Sequence, residues 1–60
     1  MTKEEAREQI KEWQRGESTS FMCKLIDLIG KADSNNRHRL KIAFPEIVEA
    51  WEEWFYGERV

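Results

Sequence analysis

Pro45, standing directly after Phe44, restricts the fold of this chain more than any other residue. Proline drives the residue before it out of the α conformation, while its own fixed φ and missing N–H suit the first position of a helix. The chain must break at Phe44 and restart as a helix at Pro45. A second break lies upstream in Lys31-Ala32-Asp33-Ser34-Asn35-Asn36, where Asp33 or Ser34 can cap a new helix. The two breaks frame a short helix ending near Ala43 and separate two strongly apolar segments, residues 21–32 and 45–56.

In the first of these segments Phe21, Leu25, Leu28 and Ala32 form one edge of a helical wheel. Met22, Ile26 and Ile29 widen the apolar arc to about 160°. Lys24, Asp27 and Lys31 make the polar strip, with the carboxylate between two ammonium groups. After Pro45, the residues Ile47, Val48, Ala50, Trp51, Trp54 and Phe55 occupy a similar arc of about 160°, and Gly57 marks a stop. Glu49, Glu52 and Glu53 share the opposite side. The intervening helix turns Leu40, Ala43 and Phe44 inward with Asn36 beside them. Together these wheels predict three helices packed around Phe21, Leu25, Leu28, Ile29, Leu40, Phe44, Ile47, Trp51 and Trp54.

The N-terminal stretch is different. Thr2 and Glu5 form a capping-box pattern, Ala6, Ile10 and Trp13 recur at helical spacing, and Gly16 supplies a stop. Its apolar stripe covers only about 60°. Residues 1–16 are therefore expected as a loosely attached helix, and residues 18–57 as the core, with Glu17-Ser18-Thr19-Ser20 connecting them. Pairs such as Glu4-Arg7 and Glu8-Lys11 contribute only about 0.2–0.5 kcal/mol each. No segment alternates with period two, and no repeat is present. The expected fold is all-α: one domain of four short helices, a compact three-helix core with an additional N-terminal helix.

At 60 residues a single core buries only about 60% of the unfolded surface, so a chain this short commonly needs a staple or a partner. One cysteine, Cys23, and one histidine, His38, provide neither an internal disulfide nor a structural zinc site, and no cofactor is expected. Ten Lys and Arg against twelve Asp and Glu leave a net charge of −2, which offers no general attraction to nucleic acid or anionic lipid. No apolar run approaches the roughly 20 residues that span a bilayer, and Met1-Thr2-Lys3-Glu4-Glu5 is too charged for a signal peptide. The cytoplasm is the expected location, where a free cysteine fits a reducing compartment.

The pattern Phe21…Lys24-Leu25…Leu28…Lys31-Ala32-Asp33…Asn36…Leu40…Ala43-Phe44-Pro45…Val48…Ala50…Trp54 resembles a family of short uncharacterised helical proteins of bacteria and phages. It spans about half the chain and leaves the first helix outside. The resemblance implies a small helical unit, possible in a mobile element, and transfers no site. Each matching residue also has a physical reason to be present: Asp33 caps, Pro45 starts a helix, and the apolar positions fill a core.

Catalysis would require a nucleophile and base or two differently placed carboxylates, and the available groups are Cys23, His38, Ser18, Ser20 and Asp33. The wheels separate them. Cys23 reads as a small packing residue, and His38, between Arg37 and Arg39, reads as a solvated side chain, so no enzyme and no small-molecule substrate are expected.

The leading expectation is a protein–protein interaction module, with self-association as a homodimer among its forms. The surplus of aromatic residues supplies the candidate partner-binding side chains Trp13, Ile10, Ile42, Phe55 and Tyr56. For the N-terminal helix two arrangements stay open, folding back on the last helix or docking on another chain. A rival reading gives Arg37, Arg39 and Lys41 to nucleic acid, although Arg39 lies off the side shared by the other two and the next helix is acidic. The bland alternative pairs those charges between the third and fourth helices. A more distant reading uses Glu49, Glu52 and Glu53 as an acidic face that occupies a basic site on a host protein.

Overall fold

In the computed structural model, which describes residues 1–16 and 20–57, the chain forms four helices. These are α1 (Lys3–Arg15), α2 (Phe21–Lys31), α3 (Ser34–Ala43) and α4 (Pro45–Tyr56). Ser18, Thr19 and Glu17 of the expected connector lie outside the described residues. The all-α, four-helix architecture is the one the wheels predict.

The helix ends follow the capping chemistry. Thr2 Oγ1 accepts from the Glu5 amide at 3.1 Å, and the Glu5 carboxylate accepts from the Thr2 amide at 2.8 Å, completing the box. Gly16 ends α1 with φ at 70°, a conformation costly for any residue with a Cβ. Ser20 caps α2 through the Cys23 amide at 3.3 Å, and Asp33 caps α3 through the Asn36 amide at 2.8 Å. Phe44 serves as the C-cap of α3 and the N-cap of α4 at once, as Pro45 requires.

Which helices make the core differs from the wheel-based expectation. The buried cluster comprises Ala6 and Ile10 of α1, Leu25, Ile26 and Ile29 of α2, and Ile47, Val48, Ala50 and Trp51 of α4. Helix α1 is therefore a full member of the core, packed on both α2 and α4. A narrow stripe is enough because Ala6, fully buried, lets the helix axes approach closely, and Ile10 then fills the next turn. Of the two arrangements the sequence left open, the helix folds back. Helix α3 is the peripheral one, with no fully buried residue and only Leu40, together with Phe44 at its end, packed against the cluster.

Three expected core residues are corrected for the same reason. Phe21 is 68% exposed, Leu28 56% and Trp54 40%. Because α1 and α4 cover α2 along Met22, Ile26 and Ile29, the Phe21–Leu28 edge rotates toward α3, which packs on α4 and leaves that edge uncovered. Asn36, expected beside the core, and Ala43, expected to face it, are exposed as well, because α3 rests on the cluster through Leu40 and Phe44 alone among its apolar residues. Trp54 lies near the end of α4, where its ring meets those of Trp13 and Phe55 and stays partly open to solvent. Cys23 is buried, consistent with a small packing residue.

Candidate functional site

Polar contacts fix the helices and decide which side chains remain available. The Trp13 indole N–H donates to Asp27 Oδ1 at 2.8 Å, joining α1 to α2, and its ring meets Trp54 edge-on with centroids 4.9 Å apart. Glu53 receives Arg7 at 3.3 Å and Lys3 at 3.7 Å, joining α4 to α1. The Arg7 hydrogen bond holds the Glu53 carboxyl below its ordinary value of 4.5; partial desolvation opposes this, and the charges of Arg7 and Lys3 add to it. The Thr2 amide similarly lowers the carboxyl of Glu5.

Of the candidate partner-binding residues, Ile10 is 4% exposed and belongs to the core, so no partner can reach it. Trp13 is half-buried and engaged by Asp27 and Trp54, which makes it a packing residue of the fold. Ile42 is 73% exposed on α3, and Phe55 and Tyr56 are each 57% exposed on α4. The last two are brought together: Phe55 stacks on Trp51 with centroids 4.7 Å apart, and Tyr56 meets Phe55 edge-on at 5.1 Å. With Trp54 they form an aromatic tip at the end of α4, one helix away from Ile42.

A second apolar surface was not anticipated from the wheels. Leu28, Ala32 and Leu40 line an open depression between α2 and α3 together with Lys31, Asn36 and Arg39. Phe21 extends the same edge of α2, its ring 6.3 Å from that of Phe44. The signal was present in the width of the α2 arc: residues 21 and 28 lie at its margin, next to the lysines at 24 and 31.

The basic cluster is dispersed. Arg37 turns inward, donating through Nη2 to the Ala32 carbonyl at 2.9 Å and through Nε to the Ile29 carbonyl at 3.4 Å, with its guanidinium 4.7 Å from the Trp51 ring centroid. Lys41 pairs with Glu52 at 3.1 Å, the interhelical charge pairing that the sequence allowed. Arg39 points to solvent at the depression. Glu52 and Glu53 of the acidic face are likewise engaged by cations of this chain.

His38 is exposed on α3 while Cys23 is buried on α2, so the two do not share a site. Among the described residues no three His, Cys, Asp or Glu side chains gather as a metal site would require, and no helix is long and apolar enough to cross a membrane. The chain matches no protein-family model, no curated protein and no solved structure.

Proposed function

We propose that this protein is a small non-enzymatic interaction module that binds a protein surface, its own copy or another chain, through apolar side chains left outside its core. The carrying observation is the inversion between neighbours on α2: Ile29 is fully buried while Leu28 is 56% exposed, and Phe21, Ile42, Phe55 and Tyr56 are at least as exposed. Full burial of a side chain of this size is worth about 1.5–3 kcal/mol, and association can recover the share that each of these five leaves in water. Aromatic side chains at such edges commonly anchor interfaces. The engagement of Arg37 and Lys41 within the fold argues against the nucleic-acid reading, since it leaves Arg39 as the one exposed member of that trio.

The test is affinity capture from host lysate with the wild-type chain and with Leu28→Ser, Ile42→Ser and Phe55→Ser variants, read by quantitative mass spectrometry and by sedimentation. A protein, or a second copy, retained by the wild type and released by at least one variant with an unchanged melting curve supports the module. Identical capture by all four chains, or capture abolished by nuclease alone, contradicts it.

A further inference from the structure

The depression between α2 and α3 has a chemistry specific enough to name its occupant. Along α2 the apolar edge from Phe21 through Leu28 to Ala32 runs about 16 Å, the length of three helical turns. Leu40 faces it from α3, and Phe44 closes the Phe21 end. Lys24 and Lys31 each follow an exposed apolar residue by three positions, so they stand beside Phe21 and Leu28 on the same side of the helix. Arg39 stands on the opposite rim. These three cations form no salt bridge among the described residues.

The surrounding charge is segregated. Residues 20–44 carry five Lys and Arg against Asp27 and Asp33, whereas residues 45–57 carry four Glu and no cation. The two aspartates are already engaged, Asp27 by the Trp13 indole and Asp33 by the Asn36 amide. Among the described residues no carboxylate lines the depression.

An apolar floor calls for an apolar stripe, and a basic rim calls for carboxylates beside that stripe. A second copy bound groove to groove about a two-fold axis would bring Lys24, Lys31 and Arg39 toward their own counterparts, a like-charge arrangement that opposes association. The chain's own acidic helix, α4, cannot supply the stripe because Ile47, Val48 and Trp51 are buried within the core. A flat anionic bilayer would meet the rim and leave the space between the helices unfilled. We propose that the α2–α3 groove binds an acidic amphipathic helix of a partner protein, seating the helix's apolar stripe on Phe21, Leu28 and Leu40 and its carboxylates against Lys24, Lys31 and Arg39. This rests on the interaction-module reading and specifies the partner's chemistry.

The experiment selects binders to the full chain from a random peptide display library. Selected peptides are mapped by amide NMR shifts and titrated against wild type, Leu28→Glu and Arg39→Glu. Both side chains are exposed, so the variants keep the wild-type melting curve. The expected winners carry apolar residues at i, i+3 or i+4, and i+7 with Asp or Glu between them. They shift amides between residues 21 and 44, and they lose at least tenfold in affinity with either variant and on raising salt. Winners that are basic or neutral, or a selection that enriches nothing, would overturn the proposal. So would a wild-type dimer that occludes the groove, or anionic vesicles that compete equally. Winners that shift only residues 54–57 overturn the groove while leaving the interaction module in place.

Discussion

The Arg37 guanidinium lies 4.7 Å from the centroid of the Trp51 ring while donating to the Ala32 carbonyl, so one side chain of α3 ties down the end of α2 and the core face of α4. A helix C-terminus exposes unsatisfied carbonyls and partial negative charge, and a guanidinium satisfies both needs while its flat face stacks on an indole. This contact explains how α3, with no buried residue of its own, is held in place.

Arg37→Ala should therefore destabilise the fold by about 1–2 kcal/mol, combining a lost helix-end contact with a lost cation–π contact. Arg37→Lys should recover only part, because an ammonium cannot reach two carbonyls and stack at once. Thermal melting of the three chains checks the order.

Trp13→Ala should weaken folding by about 1–3 kcal/mol, and partner binding only through the loss of folded protein. Its indole N–H and ring edge are both used inside the molecule. Circular dichroism across a denaturant series gives the folding loss. A variant with native stability would show that the contacts of Trp13 with Asp27 and Trp54 do not hold the fold.

The Trp13 result bears on how far the sequence reveals the fold. Thr2, Gly16, Asp33, Pro45 and Gly57 announced the helix boundaries because capping is local chemistry between residues a few positions apart. Helix membership in the core was not local. Ala6 contributes little to the width of a wheel yet decides how closely two helices approach, and the wheel of α2 could not show which margin of a wide arc would lack a neighbour. For the same reason Phe55, Tyr56 and Ile42 were legible as surface apolar residues, whereas Ile10 was misplaced and Leu28 was assigned to the core. Arg37 read as a nucleic-acid contact or an interhelical ion pair, whereas its acceptors are backbone carbonyls, which carry no sequence signature.

Gly30→Ala should raise stability by about 1 kcal/mol, the propensity difference within a helix. An added Cβ would stand 3.7 Å from Trp51 Nε1, an ordinary contact distance. A lower melting temperature would show that α2 and α4 pack more tightly than this spacing.

Acid should destabilise the protein through Glu53. Its folded carboxyl titrates below the ordinary 4.5, so the unfolded chain binds the proton more readily. The contribution is present above about pH 4.5 and is lost as pH falls through the lower folded value. Stability measured from pH 7 to pH 3 should fall less steeply in Glu53→Gln than in wild type, and superimposable profiles would remove Glu53 from the acid response.

The most direct measurement is the unfolding free energy of Leu28→Ala beside that of Ile29→Ala. Adjacent on one helix, these side chains are 56% and 0% exposed. Ile29→Ala should cost about 2–5 kcal/mol and Leu28→Ala less than about 1 kcal/mol, leaving Leu28 free for a partner. Equal losses would place Leu28 in the core, close the α2–α3 groove, and contradict the binding surface built upon it.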